Sequence, residues 1–140
     1  MGKRTYRVLL VDDSRVMLAK LEEAFAATAY QIRAVTNPLE AYRLVEDDHF
    51  DIVVTDIEMP EMSGLDLLRK IKNHNGMIQV IVVTGAISVN NVLNAFRYGA
   101  SDLVFKPFEK GRILDAVDAA AMRFDHVGEL IEHALRIKGR

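Results

Sequence analysis

The alternation of short apolar runs with segments of helical periodicity constrains the fold of this chain more than any other feature. Five runs are short and mostly β-branched, at residues 8–11, 32–35, 52–54, 78–83 and 103–105. Each is followed by a segment whose apolar residues recur every three or four positions, as in an amphipathic helix. Repetition of strand and helix predicts a parallel sheet with helices on both faces. Because the runs are apolar at almost every position, we expect the strands to be buried on both sides.

Capping residues mark where several of the predicted helices begin and end. Ser14 precedes the first helix, and Asn37-Pro38 places a cap and then a proline in the first turn of the second. The third helix is expected to end near Asn75-Gly76. The fourth should begin after Ser88 and end at Gly99.

Length and composition exclude several classes of protein. The 140 residues fit one domain, and 50% of them are hydrophobic, enough for a substantial core. With 18 basic and 20 acidic residues, the net charge of −2 predicts no direct binding to nucleic acid or to a membrane surface. The absence of cysteine excludes disulfides, thiolate metal sites and a cysteine nucleophile. No apolar stretch nears the ~20 residues that span a bilayer, so we expect a soluble cytoplasmic protein.

Polar residues follow four of the five predicted strands, at the edge where α/β sheets of this kind bind their ligands. Asp12 and Asp13 follow the first strand, Asp56 the third, Thr84 the fourth and Lys106 the fifth. Each has an ordinary explanation when taken singly, because aspartates often cap helices or turns and a loop lysine is usually solvated. Their coincidence at one edge predicts a functional site.

Three carboxylates close together repel one another unless a cation joins them. If the first and third strands are neighbours, ~4.8 Å apart, then Asp12, Asp13 and Asp56 converge. With no cysteine and no suitably placed histidine, an all-oxygen site favours a hard divalent ion, Mg²⁺. Such a site suits a phosphoryl group, and a carboxylate can attack phosphorus to form an aspartyl phosphate. Asp56 is the predicted nucleophile because it lies between the acidic pair and the Thr84–Lys106 pair.

Four stretches of the chain resemble the receiver domain of bacterial two-component response regulators. They are RVLLVDDS, DIVVTDIEMPEMSGLDLLRKIK, VIVVTGA and GASDLVFKPF, in the order and spacing of that family. The resemblance covers residues 5–124, which are expected to form the receiver domain. It implies a flavodoxin-like (βα)₅ fold with strand order 2-1-3-4-5, in which the first and third strands are neighbours.

The resemblance also implies how the phosphoryl group is received. Asp56 would accept it from the phosphohistidine of a sensor histidine kinase or of a histidine phosphotransfer protein. Thr84 and Lys106 would contact the phosphoryl oxygens. The Lys106-Pro107 peptide bond would be cis, an isomer that costs only ~0.5–1 kcal/mol for an X-Pro bond.

Magnesium is the cofactor that the resemblance implies. Its expected ligands are Asp13 and Asp56 directly, Asp12 mostly through water, and the backbone carbonyl of Glu58. A domain of this kind would be a regulatory switch that catalyses only its own phosphorylation and the later hydrolysis, and would not be a metabolic enzyme.

Phosphorylation is expected to change the partner that the domain binds. Thr84 and Lys106 would shift toward the added charge, and the loop after the fourth strand would move. The face formed by the fourth helix, the fifth strand and the fifth helix would then meet an output domain or a target protein.

Leu103 departs from the family pattern, because a Tyr or Phe whose ring swings inward usually stands at this position. Without a ring at this position, a movement of Thr84 would not be coupled to an aromatic side chain in the usual way. We expect the departure to leave the ability of Asp56 to accept a phosphoryl group intact.

Residues 125–140, DHVGELIEHALRIKGR, extend beyond the expected receiver domain. Small or apolar residues recur there and before it with the spacing of a heptad seam, at Ile113, Val117, Ala120, Phe124, Val127, Ile131 and Ala134. One possibility is a single long helix whose first half packs on the sheet and whose second half frays. Another is a second half that pairs with a second copy of the chain or leads into an output domain. The chain would accordingly be a natural single-domain regulator or part of a longer protein.

Two other functions fit parts of the pattern. A Mg²⁺-dependent phosphohydrolase of the haloacid-dehalogenase type also uses a strand-end aspartate and a lysine, and residues 56–58 loosely resemble its Asp-x-Asp pair. That family, however, places its nucleophile after the first strand, and 140 residues leave no room for a substrate cap. An interaction module with a vestigial site is the third possibility, and the complete set of site residues argues against it. We therefore predict a phosphoacceptor signalling switch.

Overall fold

A computed structural model describes residues 5–139 as five strands alternating with five helices. The strands are β1 (Arg7–Val11), β2 (Gln31–Val35), β3 (Ile52–Thr55), β4 (Gln79–Thr84) and β5 (Asp102–Phe105). The helices are α1 (Arg15–Phe25), α2 (Pro38–Asp47), α3 (Gly64–His74), α4 (Val89–Arg97) and α5 (Lys110–Lys138). Every predicted strand is present, with boundaries within one residue of those expected.

The five strands form one parallel sheet in the order β2-β1-β3-β4-β5, which confirms the flavodoxin-like fold. One apolar cluster packs α2, α3 and α4 on one face, and a second packs α1 and α5 on the other. The central strands β1, β3 and β4 are buried on both faces, as predicted, apart from Arg7 at the start of β1. The prediction was wrong for the two edge strands: Gln31 and Arg33 of β2 and Phe105 of β5 are exposed.

The predicted helix caps are confirmed. The side chains of Ser14, Asn37 and Ser88 each accept a hydrogen bond from a backbone N–H in the first turn of α1, α2 and α4, respectively. Gly99 ends α4 with a φ of 101°, a conformation that glycine adopts at little cost. Its N–H donates to Phe96 O and the next N–H, of Ala100, donates to Ala95 O, which satisfies two carbonyls at the helix end.

Helix α5 is 29 residues long and continues without interruption to Lys138. Its first half packs on the sheet, and its second half is helical as far as Lys138. Tyr30 Oη donates to Asp118 at 2.5 Å, and Tyr6 Oη donates to Asp125, so two tyrosines fix the middle of the helix against the domain. Among residues 5–139, no helix has the length and apolar character needed to cross a membrane.

Candidate functional site

The pairing of β1 with β3 brings the predicted acidic residues together. Val11 is the register partner of Thr55, so the next residues, Asp12 and Asp56, leave the sheet at the same level. One carboxylate oxygen from each of Asp12, Asp13 and Asp56 lies within 4.8 Å of the others. Asp12 and Asp56 are 1% and 7% exposed, whereas Asp13 is exposed. The three carboxylates therefore form one cluster that solvent reaches from the side of Asp13.

Backbone amides orient the two buried carboxylates. Asp12 Oδ1 accepts a hydrogen bond from Ser14 N–H at 2.9 Å, and Asp56 Oδ1 accepts one from Ile57 N–H at 2.8 Å. Asp12 thus stabilises the turn before α1, while the cap itself is the Ser14 side chain. One oxygen of each carboxylate is held by the backbone, and Oδ2 of each remains for interactions within the site.

Lys106 places a cation between these two carboxylates. Its Nζ lies 2.9 Å from Asp12 Oδ2 and 3.5 Å from Asp56 Oδ2, and its side chain is 18% exposed. The lysine backbone is held by the hydrogen bond from its N–H to Thr84 O at 2.9 Å. The Lys106-Pro107 peptide bond is cis. The fifth strand therefore delivers its lysine across β4 and β3 to the acidic cluster.

The electrostatics of Asp56 reflect this crowding. Burial raises the pKa of the Asp56 carboxyl, and the nearby Asp12 carboxylate raises it further. The Lys106 ammonium opposes both effects, but the pKa stays above the usual aspartate range. A second cation beside Asp56 would favour the charged carboxylate, which is the form that can act as a nucleophile.

Thr84 is fully buried at the carboxyl end of β4, beside β3. Its Oγ1 accepts a hydrogen bond from Ala86 N–H at 2.9 Å, which ties the hydroxyl to the loop that leads into α4. A hydroxyl in this arrangement still has a proton to donate. Thr84 thus lies at the same edge of the sheet as the acidic cluster, and its hydroxyl is linked directly to the loop between β4 and α4.

Two other positions that the sequence singled out are Glu58, in the loop after β3, and Leu103, in β5. Glu58 is exposed in the loop that follows β3, so its side chain is available to solvent. Leu103 is 8% exposed and is buried in the apolar cluster on the α2–α4 face. Phe105, two residues further along β5, is 42% exposed and is the register partner of Thr84. The aromatic residue that pairs with Thr84 between β4 and β5 therefore has its side chain at the surface.

Gly64 is a residue that sequence reasoning missed. A Cβ at this position would lie 1.7 Å from the carbonyl oxygen of Asp56, so the loop after β3 closes directly against the first residue of α3. The Gly64 N–H also donates to Ile57 O at 2.7 Å. The Ser63-Gly64 pair, a cap followed by a glycine at the start of a helix, was the only signal of this close approach.

The donor set fits the predicted metal. All three clustered side chains offer carboxylate oxygens, the ligands that Mg²⁺ prefers, and the exposed Asp13 gives an ion a route in. All three acids follow β1 or β3, the neighbouring strands between which the strand order reverses, and sheets of this topology bind ligands at that point. The fold and site together define an α/β domain suited to a divalent cation and a charged group.

Comparison with known proteins gives the family. The family model described as response regulator receiver domain matches residues 8–118. The chain therefore belongs to the response regulator receiver domain family, and it is a phosphoacceptor signalling switch of the kind found in two-component systems. The haloacid-dehalogenase alternative has no support.

Individual relatives differ in how much of their length this chain matches. The chemotaxis protein CheY of Thermotoga maritima is 34% identical over 119 residues, which cover 84% of this chain and 97% of that protein. The regulatory protein AtoC of Escherichia coli is 33% identical over 127 residues, which cover 91% of this chain but 27% of that protein. Among solved structures, the beryllofluoride-activated NtrC4 receiver domain dimer superposes with a TM-score of 0.80 at 29% identity, covering 84% of this chain and 98% of that one.

Proposed function

We propose that Asp56 is the phosphoacceptor and that its donor is the phosphohistidine of a sensor histidine kinase or of a histidine phosphotransfer protein. A carboxylate oxygen of Asp56 attacks phosphorus, the P–N bond to the histidine breaks, and the histidine nitrogen keeps the electron pair and takes up a proton. The observation that carries this proposal is the clustering of three carboxylates and one lysine at a single edge of the sheet.

Magnesium is the cofactor that these side chains would hold. Asp13 and Asp56 would bind it directly, Asp12 through water, and the backbone carbonyl of Glu58 would complete the protein ligands. The bound ion would offset negative charge on the phosphoryl oxygens. Support comes from the all-oxygen donor set and from the placement of one ligand atom of each carboxylate within 4.8 Å of the others.

Lys106 and Thr84 would respond to the new charge. A phosphoryl group carries close to two negative charges, more than the Asp12 carboxylate that Lys106 contacts at 2.9 Å. Lys106 would exchange Asp12 for a phosphoryl oxygen, and the Thr84 hydroxyl would donate to another. Because Thr84 Oγ1 accepts from Ala86 N–H, a shift of Thr84 would pull on the loop that precedes α4.

The output face would be the surface of α4, β5 and α5, where an output domain or target protein would bind. Apolar side chains are exposed on the α4 and β5 part of this surface, at Ile87, Val89, Leu93, Phe96 and Phe105. Leu103 is buried and aliphatic, so no ring at that position is available to swing inward. The signal would therefore pass through the backbone between Thr84 and Ala86.

Labelling by acetyl phosphate in the presence of Mg²⁺ tests the assignment of Asp56. We expect one phosphoryl group per chain by intact mass spectrometry, lost in Asp56→Asn and after chelation of Mg²⁺. Asp66→Asn is the matched control, because Asp66 is an exposed aspartate in the first turn of α3 and is not one of the clustered carboxylates. Labelling that persists in Asp56→Asn would refute the proposal, and multiple turnover of small phosphate esters would instead support a phosphohydrolase.

A further inference from the structure

Two side chains, one from each end, hold the loop between β4 and α4. Residues 85–88 connect Thr84, the last residue of β4, to Val89, the first residue of α4. Ala86 lies within this loop, and its N–H donates to Thr84 Oγ1 at 2.9 Å. The carbonyl oxygen of Ala86 accepts a hydrogen bond from Asn91 Nδ2 at 3.0 Å. The side chain of Asn91 therefore ties α4 to the same loop residue that the site threonine holds.

The loop between these two contacts is stiff. The N–H of Ile87 donates to Gly85 O at 3.0 Å, and the carbonyl of the same peptide group, that of Ala86, is held by Asn91. A peptide group is planar, so when both of its polar ends are held it does not turn without losing one of the hydrogen bonds. A displacement of Ala86 is therefore passed on to Asn91 and is not absorbed within the loop.

Asn91 occupies the third position of α4. Its backbone N–H donates to the capping hydroxyl of Ser88 at 3.1 Å, while its side-chain amide reaches back to Ala86. Asn91 is half-buried, whereas the neighbouring Asn90 is exposed. Successive residues of a helix point ~100° apart, so Asn91 faces the loop and Asn90 faces solvent. The two asparagines thus offer the same chemistry at a coupled and at an uncoupled position.

Helix α4 is held to the domain by little buried surface. Ala95 is its one buried residue, whereas α3 buries four. Large apolar side chains of α4, including Val89, Leu93 and Phe96, are exposed instead. An element with few buried contacts shifts at a small cost in free energy. A pull on its first turn can therefore change the position of α4.

We propose that Asn91 is the positioning residue through which a movement of Thr84 displaces α4. The proposal rests on the proposed function, because it requires Thr84 to respond to the phosphorylated Asp56. When the Thr84 hydroxyl turns toward a phosphoryl oxygen, Ala86 follows through its N–H, and the Ala86 carbonyl draws Asn91 and the first turn of α4 with it. This connection operates without an aromatic ring in β5, where Leu103 is aliphatic and buried.

Asn91→Asp separates this coupling from the stability of the helix. The carboxylate has nearly the same size as the amide but cannot donate to Ala86 O. A negative charge in the first turn also favours a helix, so α4 itself should not be weakened. Asn90→Asp adds the same charge at the exposed neighbouring position and is the matched control.

The measurement is the change in amide chemical shifts when Mg²⁺ and beryllofluoride, a mimic of the phosphoryl group, are added to the full chain. We expect Thr84 to respond in the wild type and in both variants. Ala95 and Phe96, in the second half of α4, should respond in the wild type and in Asn90→Asp, and this response should fall to less than half in Asn91→Asp. Amide hydrogen exchange of α4 without beryllofluoride should be no faster in Asn91→Asp than in the wild type.

The outcomes distinguish this inference from the proposed function. An undiminished α4 response in Asn91→Asp, or an equal loss in both variants, would overturn the inference alone. Faster exchange of α4 in the free Asn91→Asp protein would reduce Asn91 to a structural role and would also overturn it. If acetyl phosphate labels Asp56 but Thr84 does not respond, the inference fails and phosphoacceptance stands. Failure of Asp56 to be labelled would instead refute the proposed function.

Discussion

Gly64→Ala should disrupt the site by displacing the backbone of Asp56. A Cβ at position 64 would lie 1.7 Å from Asp56 O, 2.7 Å from Asp56 C and 2.9 Å from Ile57 Cα. Ordinary non-bonded contacts are ~3.5 Å, so the loop after β3 must move by more than 1 Å. Such overpacking costs about 1–3 kcal/mol, and stretching the 2.7 Å hydrogen bond from Gly64 N–H to Ile57 O adds about 1 kcal/mol. The better helix propensity of alanine offsets part of this loss.

The net expectation for Gly64→Ala is a loss of about 2–3 kcal/mol in the free energy of unfolding. Urea denaturation followed by circular dichroism measures it, and Mg²⁺ titration by calorimetry should show weaker binding because the Asp56 backbone is displaced. Gly128→Ala is the matched control. Its Cβ would meet only Met77 Cε at 3.7 Å, so the same substitution inside α5 should stabilise the protein by up to ~1 kcal/mol. An unfolding free energy for Gly64→Ala within ~0.5 kcal/mol of wild type would refute the requirement for glycine.

Three further predictions concern charge. The pKa of Asp56 is higher in the folded state than in the unfolded state. The free energy of unfolding therefore falls as pH rises from the ordinary aspartate pKa of ~3.9 to the folded pKa, because the folded protein must give up a proton that it holds more tightly. Asp56→Asn should therefore raise the unfolding free energy of the metal-free protein at pH 7, and the gain should disappear below about pH 4 in urea titrations. Lys106→Met leaves Asp12 and Asp56 without their shared cation, so we expect a loss of about 3 kcal/mol in chelator, partly restored by Mg²⁺ in thermal melts. The hydrogen bond from Arg7 lowers the pKa of Asp48 to about 2, and Arg7→Gln should return it toward ~3.9 in an NMR titration.

Local signals in the sequence were sufficient for the strands and helices, whereas the strand order came from the resemblance to the receiver domain family. The strands are short, β-branched and separated by capped helices, so periodicity and caps place their boundaries with little help from tertiary context. The topology then brings Asp12 and Asp56 to neighbouring strand ends in matching register. Residue type and position along the chain therefore predicted which carboxylates cluster.

The remaining features depend on contacts between segments distant in sequence. Gln31 and Arg33 are exposed because β2 lies at the edge of the sheet, and their alternation with Ile32 and Ala34 was a sequence signal of that exposure which the prediction of buried strands passed over. Lys106 was expected to meet a phosphoryl group, but its ammonium is paired with Asp12, 94 positions away in the chain. Such a pairing depends on side-chain reach across two strands, which spacing along the sequence does not encode.

The pairing of Lys106 with Asp12 bears on how strongly the proposed switch can be driven. If Lys106 leaves Asp12 for a phosphoryl oxygen, one ion pair replaces another, and the bias from this exchange is the difference in energy between the two pairs. A hydrogen bond to a charged group contributes about 1.5–3 kcal/mol, so this difference is smaller than that. A bias of about 1.4 kcal/mol changes a population ratio roughly tenfold, well short of the ~10⁴-fold needed for a complete reversal. The remaining bias must come from elsewhere: the Thr84 hydroxyl, the metal charge and whatever binds the exposed apolar face of α4. A partner that binds the output face better in the phosphorylated state would therefore add to the bias that phosphorylation supplies.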